Sequence, residues 1–115
     1  MKNNGIENLA KTLRLLGDTN RLAIVVSIGK ETLSVTGIMQ ATGLSQTLVS
    51  FHLKQLRDAK MVKTRRNGPF IYYSLTELTL LDSLNQLSQL VNSGEKVLEE
   101  AIPNKRFTKQ RRQRV

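Results

Sequence analysis

The sequence predicts a mainly α-helical domain of about five helices with one small β-hairpin, and three observations predict it. Apolar residues recur at three- and four-residue spacing along most of the chain. Capping residues and glycines divide those runs into separate helices. One Asn-Gly pair, Asn67-Gly68, sits between two β-rich runs. A chain of 115 residues has room for one modest core. The expected organisation is therefore a single domain over residues 1–102, followed by a tail, residues 103–115, too charged to bury anything and so disordered.

In order along the chain, Leu9, Leu13 and Leu16 keep helical spacing from about Ile6 until "GDTNR" breaks the pattern. The Asp18 carboxylate can accept from the free amides of a new turn, which predicts a second helix from Thr19 to Ile28 that buries Leu22, Val25, Val26 and Ile28 and ends at Gly29. "LSV" (33–35) is long enough only for a small strand, and Thr36 can cap a short third helix ending at Gly43. Ser45 caps a fourth, from Gln46 to about Asp58. "MVKTRRNGPFIYYSL" then reads as the hairpin, with Pro69 just past the turn, where a missing amide donor costs least. Thr76 is placed as the cap of a long last helix carrying Leu78, Leu81, Leu84, Leu87, Val91 and Leu98 on or near one face.

The charge narrows the partners. Eighteen Lys and Arg oppose nine Asp and Glu, for a net +9. The excess is concentrated at +5 in residues 44–76 and +6 in 103–115, whereas 77–102 carries −4. Polyanions are the expected partners, either nucleic acid or an anionic membrane surface. Membrane binding is disfavoured because every amphipathic helix is already needed for the core. With no apolar run of eighteen residues and no leader pattern, a cytoplasmic protein is expected. The absence of cysteine removes disulfides and thiolate metal sites, and one histidine without paired carboxylates beside a nucleophile leaves little for catalysis, so no enzyme is expected.

The fourth helix carries the functional argument. At about 100° per residue, Leu48, Val49, His52, Leu53 and Leu56 form one arc, and Gln46, Thr47, Ser50, Phe51, Lys54 and Arg57 form the other. A surface helix solvated by chance usually carries Glu–Lys pairs. This one offers amide and hydroxyl groups flanked by cations, a set suited to reading base edges in the major groove while Lys and Arg meet phosphates. A short helix, a turn through Gly43 and a capped second helix give helix-turn-helix geometry. His52, on the apolar arc, is expected to be a half-buried structural histidine at the junction with the body.

"LGDTNRLAIV" (16–25), "LSVTGIMQATGLSQTLVSFHLKQLRDAKMV" (33–62) and "NGPFIYYSL" (67–75) together resemble the ArsR/SmtB family of winged helix-turn-helix repressors, over roughly residues 9–91. The resemblance implies a bacterial repressor and a homodimer joined through its first and last helices. It also implies a two-stranded wing touching DNA beside the reading helix, and release by an inducer, typically a metal ion. Departures are equally informative. Ser34 and Thr36 stand where the family's thiolate site would place cysteines, and neutral hydroxyls are poor ligands for soft metals. Of the family's other site, on the last helix, only Asp82 remains, with Leu84, Glu95 and Leu98 in the other places. Pro69 replaces the wing-tip Arg, so a wing contact to phosphate falls to Arg65 or Arg66. Phe51, where many relatives are polar, either touches a thymine methyl or covers the base of the hairpin.

The resulting expectation is a dimeric, sequence-specific repressor of double-stranded DNA on a pseudo-palindromic operator, without a cofactor and without thiol- or histidine-based metal sensing. Gln46, Thr47 and Ser50 would read bases, and Ser45, Lys54, Arg57, Lys63, Arg65 and Arg66 would hold the backbone. Ile6, Leu9, Leu13, Leu84, Leu87 and Val91 would form the dimer interface. An unidentified small molecule or protein is left as the effector class. The alternatives are a non-specific nucleic-acid-binding or nucleoid-associated protein, argued from the basic tail, and a protein-interaction scaffold that makes no use of DNA.

Overall fold

A computed structural model describes residues 4–92, which form five helices and a three-stranded antiparallel sheet. The helices are α1 (Asn4–Leu16), α2 (Thr19–Ile28), α3 (Val35–Thr42), α4 (Gln46–Asp58) and α5 (Thr79–Asn92); the strands are β1 (Leu33–Ser34), β2 (Val62–Asn67) and β3 (Phe70–Leu75). The sheet order is β1-β3-β2, so the hairpin is joined along β3 by the short first strand. The charged tail expected over residues 103–115 and the placement of Leu98 lie outside the described residues.

Local chemistry accounts for most boundaries. The Arg21 backbone N–H donates to Asp18 Oδ1 at 3.1 Å and starts α2. Gly43, at φ 78°, ends α3 in the left-handed region, where a side chain would be strained. Ser45 Oγ accepts from the Leu48 amide at 3.2 Å and opens α4. These are the caps read from the sequence.

Two other caps fall elsewhere. The third helix is capped by Ser34, whose hydroxyl accepts from the Gly37 amide, and Thr36 lies inside the helix. Ser34 pairs with Tyr72 across the sheet, which fixes it in the extended backbone that an N-cap requires. The last helix begins at Thr79, not after Thr76, because the Thr76 amide donates to the Met61 carbonyl and prolongs the hairpin pairing. Its first turn is tight, with Leu80 and Leu81 donating to the carbonyls of Glu77 and Leu78.

The hairpin turn is shifted by one residue from the expected Asn67-Gly68. Asn67 pairs with Phe70, so the two loop residues are Gly68 and Pro69. Gly68 has φ 64°, and Pro69 holds φ near about −65°. A positive φ followed by a negative one is the pattern of a type II′ turn, whose twist matches that of the strands. Proline therefore sits within the turn, where its missing N–H removes no ladder bond.

The core gathers Ile24, Val25 and Ile28 from α2, Ile38 from α3, Val49, Leu53 and Leu56 from α4, and Leu33, Val62 and Leu75 from the sheet. Each large side chain so buried contributes about 1.5–3 kcal/mol before the cost of ordering it. Helix α1 adds only Leu16 to the fully buried set, and α5 leans Leu80, Leu81 and Leu84 partly onto it.

Candidate nucleic-acid interface

The connection from α3 to α4 is three residues long, Gly43 to Ser45. The Gly43 N–H closes α3 on the Met39 carbonyl, and the Leu44 N–H turns back onto Thr42 Oγ1 at 3.2 Å. Val49, Leu53 and Leu56 then anchor α4 to the core, so the direction of the helix is set by packing and its opposite face stands in solvent. Gln46, Thr47 and Ser50 are all exposed, and their side chains make no hydrogen bond among the described residues. Their donors and acceptors are therefore available to an external surface.

The buried arc is narrower than the wheel suggests. Leu48 is 40% exposed, because it lies at the arc's edge in the first turn, where α4 projects from the body. Phe51 is 54% exposed, and its ring meets that of His52 edge-on, with centroids 5.1 Å apart. Leu48 thus joins Phe51 as an apolar flank beside the polar face, a contribution the helical wheel assigned to the core. The only available signal was its edge position.

The cations fall into distinct settings. Lys54 Nζ bonds Asp58 Oδ2 at 3.1 Å, an exposed (i, i+4) pair that water screens enough for a phosphate to displace it at small cost. Arg57 has no carboxylate within ion-pair distance among the described residues. On the hairpin, pairing of Val62 with Leu75 turns Val62, Thr64 and Arg66 to one face, and Lys63 and Arg65 to the other. Lys63, Arg65 and Arg66 are all exposed, but the two arginines cannot lie along a single phosphate backbone from the same face.

His52 is buried to 5% exposure, deeper than the half-buried position expected. Its Nε2 lies 3.9 Å from Asp18 Oδ1, beyond hydrogen-bond range, and its Nδ1 is buried without a hydrogen-bond partner. The Asp18 carboxyl is held below the usual carboxylate range, chiefly by the Arg21 backbone N–H; partial burial opposes this, and the charges of His52 and Arg21 assist. The cap of α2 and the inner face of α4 thereby meet at one point.

Elsewhere, Ile6, Leu9 and Leu13 project from α1, and Leu87, Leu90 and Val91 from α5, all exposed. Leu84 is partly buried against the core. Ser34, at the family's thiolate position, is occupied as a cap, and Thr36 is exposed. Among the described residues no three His, Cys, Asp or Glu side chains are grouped to hold a metal ion. Nor is any described helix long and apolar enough to cross a membrane.

Comparison with known proteins agrees with this geometry. Residues 18–64, from the α2 cap to mid-wing, match the model of the bacterial regulatory protein, arsR family. The chain is 34% identical over 99 residues to the nodulation protein NolR of Rhizobium meliloti, covering 86% of this chain and 81% of that protein. It is 29% identical to the transcriptional repressor SdpR of Bacillus subtilis, over 71% of this chain and 91% of the other. Among solved structures, NolR from Sinorhizobium fredii superposes with a TM-score of 0.69 at 33% identity, over 79% of this chain and 90% of that one. The chain belongs to the arsR family of bacterial regulatory proteins, and it is a winged helix-turn-helix, DNA-binding transcription regulator, not an enzyme.

Proposed function

We propose that this protein is a dimeric repressor that reads a pseudo-palindromic operator through Gln46, Thr47 and Ser50. The observation that carries the reading is the outer face of the first turns of α4, where Gln46, Thr47 and Ser50 are uncharged, exposed and without a side-chain hydrogen bond among the described residues. Amide and hydroxyl groups in that setting suit the donor and acceptor pattern of base edges. Ser45, Lys54, Arg57, Lys63 and Arg65 hold phosphates, and Arg66 contributes from the other face of the wing. Leu48 and Phe51 supply apolar contact to thymine methyl groups.

The dimer reading rests on the exposed leucines of α1 and α5, which no part of the described chain covers. A second copy related by a two-fold axis would bury Ile6, Leu9, Leu13, Leu87 and Val91 against their equivalents and present two reading helices, with half-sites about one helical turn apart. Control proceeds without a thiol- or imidazole-based metal site. A soft ion needs thiolate or imidazole donors, and Ser34, Thr36, Asp82 and Leu84 provide neither. The chain acts in the cytoplasm, where its DNA lies.

Selection of bound duplexes from random DNA, followed by sequencing, tests the reading. An enriched inverted repeat is expected. Binding that depends on salt but enriches no sequence would instead make this a non-specific nucleic-acid-binding protein.

A further inference from the structure

A groove of about 700 Å³ lies on the side of the molecule where α1, the start of α2 and the C-terminal end of α4 meet. Three cations line it: Lys11 and Arg14, one turn apart on α1, and Arg21 on α2. None of the three has a carboxylate within ion-pair distance among the described residues. Asn8, Thr12, Gln55 and Asp58 complete the polar lining, with the Thr12 hydroxyl donating to the Asn8 carbonyl and Asp58 already engaged by Lys54. This size falls within the range of sites for small ligands. We propose that the groove binds a small hydroxylated dianion, either a phosphate ester or a dicarboxylate, and that its occupancy alters DNA binding. Its anionic group would be held by Lys11, Arg14 and Arg21, and its hydroxyls would meet Asn8, Gln55 and Asp58.

Three considerations favour such a ligand over other occupants. DNA seated on Gln46, Thr47 and Ser50 approaches another side of α4, because the helical period puts Gln55 about 140° round the axis from Ser50. A second copy on Ile6, Leu9 and Leu13 does not fill it either, since the helical period puts Asn8, Lys11 and Arg14 on other sides of α1 from that apolar stripe. The groove also joins the helix proposed for dimerisation to the helix that reads DNA.

Arg21 is the link between the two. Its Nε donates to the Leu15 carbonyl at 2.7 Å, near the end of α1, and its backbone N–H donates to Asp18 Oδ1. Asp18 in turn faces the His52 ring on the inner side of α4. An anion drawing on the remaining guanidinium donors therefore acts on a group that already ties α1 to the cap beneath the reading helix. A ligand that prefers one arrangement of α1 against α4 shifts the protein between DNA-competent and DNA-incompetent forms by that preference. This regulatory half rests on the proposed operator reading; the binding half does not.

Calorimetric titration of the full chain without DNA tests the binding half. The probes are glycerol 3-phosphate and malate, with glycerol and sodium chloride at matched ionic strength as controls. Saturable binding of one or both probes is expected at one site per chain, and the tighter one identifies the ligand as phosphate ester or dicarboxylate. The double variant Lys11→Gln/Arg14→Gln, altered only at exposed positions, should weaken it by at least about tenfold. Responses no greater than those to sodium chloride, or unchanged affinity in the double variant, would overturn the site. On the selected operator duplex, the tighter-binding probe should change the affinity of the wild-type protein by at least about threefold and leave the double variant unmoved. If the unliganded double variant instead binds random DNA less well, with a salt slope lower by about two, these cations contact DNA phosphates and the ligand site is wrong.

Discussion

The two halves of this molecule treat their apolar side chains in opposite ways. In α2, Ile24 through Ile28 form an unbroken buried run, and α4 buries Val49, Leu53 and Leu56 completely or nearly so. Helices α1 and α5 are at least as long and richer in leucine, yet only Leu16 of α1 and Ser88 of α5 are buried, while Ile6 is 68% and Leu90 80% exposed. The first half has spent its apolar surface on a core of its own, which gives α4 a fixed direction. The second half leaves its surface open, and that surface has value only if something covers it. Leucine content alone therefore does not distinguish core from interface; the distinction is whether a facing element exists within the same chain.

The sharpest way to break this contrast is to charge the open half. In a two-fold dimer each substitution acts twice, and each buried leucine contributes about 1.5–3 kcal/mol. Leu9→Asp should thus weaken association by about 3–6 kcal/mol, on the order of 10²–10⁴-fold, as read by sedimentation, with operator affinity falling alongside. The thermal transition measured at concentrations where the variant is monomeric should differ little from that of wild-type monomer. A dimer that survives would show that α1 is no interface.

The complementary change strikes the closed half. Leu53 is fully enclosed, so Leu53→Ala leaves a cavity and should cost about 2–5 kcal/mol in chemical denaturation. A loss below about 1 kcal/mol would mean that the site collapses around the smaller residue and that the core holds the helix less firmly than its burial suggests.

On the surface between the halves, Gln46→Ala should cost about 1–3 kcal/mol on the operator and much less on random DNA, without change in stability. Arg65→Gln should weaken both duplexes alike and lower the salt slope by about one. Equal losses for Gln46→Ala on both duplexes would reassign that side chain from reading bases to holding the backbone.

Much of this was legible in the sequence, because the informative residues act locally. Asp18, Gly43 and Ser45 cap through bonds spanning three or four residues, so composition and order alone located the bounds of α2 and α4, although the expected stripe of α2 included the half-buried Leu22 and omitted the fully buried Ile24. What was misplaced depends on contacts between distant segments. Ser34 and Thr36 carry equivalent hydroxyls, and only the pairing of Ser34 with Tyr72 decides which becomes the cap. The start of α5 moves from Thr76 to Thr79 because Met61, across the hairpin, claims the Thr76 amide. Leu48 and Leu53 have the same side chain on one arc, and only the body's extent beneath α4 exposes the first and buries the second. The groove beside Arg21 gave no sequence signal, since its cations lie on two helices and its opposite wall on a third.

The smallest expected effect concerns the joint between cap and reading helix. Folding holds the Asp18 carboxyl below its ordinary value of 3.8, so the folded state favours the ionised form. Its contribution is complete above about pH 5 and is lost as pH falls through the lower folded value, where both states bind the proton. The carboxylate is 39% exposed and screened by water, which limits that contribution to about 0.5 kcal/mol. Asp18→Asn keeps a capping oxygen and removes the titration. Wild-type protein should therefore lose slightly more stability than Asp18→Asn between pH 5 and pH 2.5, read as the difference between two urea midpoints so that the other carboxylates cancel. Parallel curves would show that the bond to the Arg21 amide does not depend on the charge of Asp18, and that His52 gains nothing from the carboxylate beside it.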